Sequence, residues 1–169
     1  EIRAEHGDYI LVNTNMGFGN NLKGDEFVIA NYGKRFKNIE RIVEFDKIKV
    51  ESYLQLLADL SPKLDQTLVL RPHPEESLDV YKNEFAEISN IKIVRRGSAV
   101  PWLLAADEVI HPDCTTAIEL AFLGKVPLSY MPAGFPEDIV TQIPLSISMR
   151  FEHIAKLSEY LLRTDKGYD

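Results

Sequence analysis

The stretch 108-EVIHPDCTTAIELAFLGKVPLSY-130 joins a short apolar run to a helical one and then to a second short apolar run. Glu108–His111 reads as a strand, Thr115–Leu123 carries apolar residues at helical spacing, and Val126–Tyr130 reads as a strand again. Strand, helix, strand is the unit that builds a parallel sheet, because parallel neighbours need a crossover connection across one face. Where the first strand hands over to the helix, the chain places His111, Pro112, Asp113, Cys114, Thr115 and Thr116 in succession. Polar and breaking residues at that point mark a loop with a task.

The same alternation continues outward. Further strands are expected at Tyr9–Asn13, Thr67–Arg71, Ile91–Arg95 and Leu145–Met149, and further helices at Val50–Leu60, Leu78–Ile88, Pro101–Ala106 and Phe151–Leu162. The prediction is an α/β fold: a Rossmann-like open parallel sheet of about six strands with helices on both faces. Residues 14–49, rich in Asn, Gly and Lys, show only weak helical pattern around Phe27–Tyr32 and Ile39–Phe45 and are read as a mobile insertion.

Composition sets the outer bounds. The 169 residues, 45% hydrophobic and 27% charged, suit one soluble domain spanning 1–169, and no apolar run approaches the ~20 residues of a membrane span. A net charge of -7 without a basic face or tail argues against nucleic acid as partner. The single cysteine, Cys114, excludes an internal disulfide and fits a reducing, cytoplasmic compartment. The chain opens on Glu1 rather than Met and stops at Lys166-Gly-Tyr-Asp, so it is read as a piece of a longer protein.

In an open parallel sheet the loops leaving the C-terminal strand ends gather along one edge, and ligands bind there. Four such loops carry unusual chemistry: 13-NTNMGFGNN-21, 71-RPHPEES-77, 95-RRGSAVP-101 and 111-HPDCTTAIE-119. His73 between two prolines is held in a rigid loop that aims its imidazole outward, with Arg71 as a neighbouring cation. Taken alone, a surface histidine in a rigid turn is the better reading. Thr115 or Thr116 suits an N-cap with Glu119 in the first turn, which either closes a capping box or offers helix N–H groups and hydroxyls to a phosphate. Gly97 and Ser98 ahead of Pro101 form a strand-to-helix loop whose backbone can pair with a base. Asn13 and Asn15 serve either as turn formers or as ligand contacts.

Gly17 and Gly19 lack the third glycine and the clear helix of a dinucleotide fingerprint, so NAD or FAD is not expected. Cys114 with His111 nearby suggests a thiol nucleophile, yet no third orienting group is identifiable and a buried small residue is the better reading. His73, His111, Asp113 and Cys114 match no familiar zinc spacing, so no metal is expected.

The order 70-LRPHP-74 followed by 97-GSAVPWLLAADEVIHPDCTTAIELAFLGKVPLSYMP-132 resembles the C-terminal half of bacterial surface-carbohydrate (polysaccharide) biosynthesis proteins. More broadly it is similar to GT-B glycosyltransferases and their relatives: CDP-glycerol glycerophosphotransferases, capsule Kdo transferases and His-Pro-motif sialyltransferases. The resemblance covers roughly residues 67–132 well, the opening 9-YILVNTN-15 moderately, and 20–50 hardly at all. It implies one half of a GT-B fold that binds a nucleotide-sugar donor, CMP- or CDP-linked, without a metal or other cofactor. His73, Thr115 and Thr116 would contact the donor phosphate, Glu119 the ribose, and Gly97 and Ser98 would lie beside the base. The Thr-Thr pair after a cysteine departs from the serines of many relatives. The acceptor, and usually the catalytic base, belong to a separate N-terminal domain in such proteins, so the isolated domain is expected to be inactive. Peripheral association of the whole protein with the inner face of the membrane is compatible with that role. A GT-B-like UDP-sugar epimerase and a non-catalytic binding or scaffold domain remain open alternatives.

Overall fold

The computed structural model describes residues 1–164, and the closing Lys166-Gly-Tyr-Asp lies outside the described residues. In chain order the elements are α1 (Ile2–His6), β1 (Tyr9–Asn13), α2 (Asp25–Tyr32), α3 (Ile39–Leu60), β2 (Thr67–Arg71), α4 (Asp79–Glu84) and β3 (Ile91–Ile93). Then follow α5 (Ala99–Ala105), β4 (Glu108–His111), α6 (Thr116–Phe122), β5 (Leu128–Tyr130), α7 (Gln142–Ser146), β6 (Met149–Phe151) and α8 (Ile154–Thr164). The strands form one six-stranded sheet in the order β3-β2-β1-β4-β5-β6, every pairing parallel. This is the expected Rossmann-like architecture. Strand order reverses between β1 and β4, which opens a crevice at their C-terminal ends.

Alternation along β1 shows why both faces are covered. Tyr9 and Leu11 join Val69, Trp102, Leu103, Val109 and Leu120 in one core, against α5 and α6. Ile10 and Val12 point the other way, into a larger core with Tyr53, Leu57, Leu60, Tyr81 and Leu157 from α3, α4 and α8. A strand buried on both sides reads as a continuous apolar run, as 9-YILV-12 does.

Boundaries differ from the expected ones for local reasons. The last strand starts at Met149; the apolar run before it holds α7, whose Pro144 sits in the first turn, where a missing N–H costs nothing. Pro144 and Leu145 are buried side by side while Ile143 and Ile147 are exposed, so the run has no strand alternation. β5 begins only after Pro127, which cannot donate to a ladder. Residues 14–49 contain α2 and the first half of α3, and α3 is one continuous helix to Leu60. A satellite core of Val28, Ile39 and Val43, flanked by Phe18, Tyr32 and Phe36, holds this segment.

Candidate functional site

The crevice is built first by hydrogen bonds between loops. Asn13 ends β1 opposite Arg71 of β2. Its side-chain amide donates to Thr116 Oγ1 across the switch point at 3.2 Å, and that hydroxyl donates to Cys114 Sγ at 3.1 Å. Arg71 donates through Nη2 to the carbonyl of Gly97 at 2.5 Å, which draws the loops after β2 and β3 together. Burial pulls the Arg71 guanidinium below its ordinary value, with the Glu119 carboxylate among the nearby charges that oppose the shift. Two polar atoms here are buried without a partner: Asn13 Oδ1 and Arg71 Nε. One is an acceptor, the other a donor, and neither is satisfied by protein.

His73 stands further along the same edge and is exposed. Its Nδ1 accepts from the Glu75 N–H at 3.3 Å, which assigns the ring proton to Nε2, directed away from that turn. The loop carrying it hangs from Glu76, a fully buried carboxylate. Glu76 Oε1 accepts from Thr14 Oγ1 at 2.7 Å and from the N–H groups of Met16 and His73 at 3.0 Å each, and Oε2 accepts from Tyr81. One carboxylate thus fixes the loops after β1 and β2 relative to each other.

A second buried polar knot sits beside it. Lys49 on α3 pairs with Asp46 at 2.7 Å and with Asp113 at 3.3 Å. Asp113 also accepts from Asn15 at 3.0 Å and from the Thr141 N–H at 2.8 Å, and Asp46 accepts from the N–H groups of Phe18 and Gly19. Burial pushes Asp113 up, but the Lys49 ammonium, the Thr141 N–H and the Asn15 amide outweigh it and hold the carboxyl below its ordinary value. For Lys49, burial is likewise outweighed by the two carboxylates, which raise it. The glycine of this loop is required by space: a Cβ on Gly19 would come within 2.4 Å of the Lys47 nitrogen.

The remaining expected residues fall as follows. Thr115 is exposed at the N-cap of α6 in helical geometry (φ -62, ψ -17) and makes no side-chain cap bond, so the capping box with Glu119 does not form. Glu119 is exposed on the first turn of α6. Ser98 and Gly97 are exposed ahead of α5, with Gly97 at φ 66. Asn15 reaches Asp113 and lines a small cleft with His73. Asn13, Arg71, Gly97 and Thr116 are therefore linked directly. Ser98, Thr115, Glu119 and His73 lie on the same edge without a side-chain bond to that group.

The thiol reading of Cys114 fails: the residue is buried, burial pushes its thiol up, and His111 turns elsewhere. His111 Nδ1 accepts from the Cys114 N–H, while its Nε2 faces Ser148 Oγ at 2.9 Å. Among the described residues no cluster of His, Cys, Asp or Glu is arranged to hold a metal ion. Also among them, no helix is long and apolar enough to cross a membrane.

Glu76, Asp46 and Lys49 are not singled out by the sequence reading, and Asp113, weighed there only as a metal ligand, serves instead to hold loops together. A signal existed for two of them, since Asp46 and Lys49 fall on the stripe of Ile39, Val43, Val50 and Tyr53 that α3 buries. Charges on an apolar stripe ask for partners.

No family model and no curated protein matches the chain. Among solved structures, the fold is similar to that of the Methanocaldococcus jannaschii UDP-GlcNAc 2-epimerase in complex with UDP-GlcNAc and UDP, at a TM-score of 0.55 and 11% identity. The match covers 98% of this chain and 41% of that one, so the chain spans less than half the length of the protein it resembles. At this identity the likeness establishes the fold alone, the Rossmann-like parallel sheet with helices on both faces.

Proposed function

We propose that the chain is a nucleotide-sugar-binding domain that holds its ligand at the crevice between β1 and β4. The observation that carries this reading is the convergence at the crevice of Asn13 and Arg71 from the ends of β1 and β2, Gly97 from the loop after β3 and Thr116 from the start of α6, with Arg71 Nε and Asn13 Oδ1 buried and unpartnered. An unpaired guanidinium N–H suits a phosphate oxygen, and an unpaired amide oxygen suits a ribose hydroxyl or a base amine. Buried polar atoms in proteins are rarely left so.

In its finer form the proposal is the donor domain of a glycosyltransferase in bacterial surface polysaccharide synthesis, taking a CMP- or CDP-linked donor. His73 Nε2–H and Thr115 face the phosphate, Glu119 the ribose, and the loop at Gly97 and Ser98 the base. Thr116, whose hydroxyl is already engaged by Asn13 and Cys114, acts by positioning Asn13. In transfer an acceptor hydroxyl bonds to the sugar and gives its proton to a base as the bond from the sugar to the donor phosphate breaks, and the charge left on that phosphate is stabilised by Arg71 and His73. Acceptor and base come from a second domain. The likeness in fold to a UDP-sugar epimerase favours a second reading, in which the ligand is uridine-linked.

Calorimetric titration with CMP, CDP, UDP and NAD separates these. Cytidine binding supports the transferase, a uridine preference supports the epimerase-like reading, and silence from all four refutes nucleotide binding.

A further inference from the structure

A cleft of about 190 Å³ opens beside the crevice, lined by Asn15, Gly17, Phe18, His73 and Glu75. Among the described residues no Lys or Arg lines it. The Phe18 ring is braced from behind by Tyr32 and Phe36, with centroids 5.0 and 5.6 Å away. Glu75 Oε1 accepts from Tyr32 OH at 2.9 Å, which fixes the carboxylate. Its Oε2 lies over Gly17, where a Cβ would stand 3.4 Å from it and 3.5 Å from His73 Nδ1. The bare glycine keeps that oxygen and the imidazole accessible. Asn15 Oδ1, buried and unpartnered, adds another acceptor.

An aromatic ring beside two acceptors complements a ring of hydroxyls with an apolar face. Resting on the nucleotide-sugar reading of the crevice, we infer that this cleft takes the sugar of the ligand and selects a neutral sugar over a carboxylated one, which favours a CDP- or UDP-linked ligand over a CMP-linked ulosonic acid. Glu75 is the specificity-determining residue: its charge accepts from sugar hydroxyls and repels a sugar carboxylate. Phe18 supplies the stacking face.

The test is an amide NMR titration of the chain with methyl glucoside and methyl glucuronide, which differ in one carboxylate. The glucoside shifts the amides of Gly17, Phe18 and Glu75, and the glucuronide binds about tenfold more weakly, as repulsion between two close carboxylates requires. Glu75→Gln brings the two sugars level, and Phe18→Ala weakens both. If the glucoside leaves those amides unmoved, or the discrimination survives Glu75→Gln, the assignment is overturned. CDP and UDP titrated into the same sample report separately on the crevice. Nucleotide silence beside a glucoside response ends the nucleotide reading while the sugar cleft stands; nucleotide binding beside glucoside silence ends the cleft.

Discussion

His111 shows how a residue with catalytic chemistry is turned into structure. Its ring is fully buried, and burial holds the imidazole at about 4, well below the ordinary 6.5, so it stays neutral with Nδ1 capping the Cys114 N–H. In the unfolded chain the same ring takes its proton near pH 6.5. Between those two values the unfolded state binds more protons, so stability falls as pH drops from about 6.5 towards 4 and levels off below. The full loss is about 3 kcal/mol by the linkage relation. Urea melts at pH 7, 5.5 and 4.5 measure it, and His111→Gln flattens the slope over that window. A slope unchanged by the substitution assigns the acid sensitivity to other groups, Asp113 foremost.

At the scale of an element, α3 does two jobs. Its stripe of Val50, Tyr53, Leu57 and Leu60 packs under the sheet, while one turn earlier Asp46 and Lys49 tie the loops after β1 and β4 together. Lys49→Ala leaves two buried carboxylates facing each other and costs about 3–5 kcal/mol in chemical denaturation. Lys49→Arg recovers part of that. A loss below about 1 kcal/mol means water reaches the knot, as at an exposed pair. Elements were legible in the sequence to the degree that their own residues decide them. β1, β2 and β4 fall on the expected residues because apolar runs bounded by turns leave little choice. The run around α7 reads as a strand in the sequence because it is short, and period alone cannot separate a short strand from a short helix. The start of α3 shows only a weak helical pattern at Ile39–Phe45, because the stripe it buries includes Asp46 and Lys49, whose partners include distant loops. The site was legible as four loops on one edge. Which atoms meet there was not, since Asn13 finds Thr116 across 103 residues of chain. Nor could 75-EE-76 say that Glu76 turns inward and Glu75 outward.

On the scale of the whole molecule, one Rossmann-like sheet presents a crevice on one edge, and the proposed function leaves the acceptor to a second domain. Transfer requires two reactants held in register. The isolated chain is therefore expected to bind nucleotide yet give no product above background with any CMP-, CDP- or UDP-linked sugar, as followed by release of free nucleotide. Turnover by this domain alone places the whole active site within it. The central claim, that the edge is a nucleotide site and the loops are not merely rigid turns, is tested most directly by calorimetry on His73→Ala. The ring is exposed, and the backbone N–H that anchors its loop to Glu76 survives the substitution. The account predicts an affinity for CDP or UDP lower by about 1.5–3 kcal/mol, the range for a hydrogen bond to a charged group, with the melting temperature nearly unchanged. Undiminished nucleotide affinity together with a lowered melting temperature contradicts it and makes His73 a structural residue.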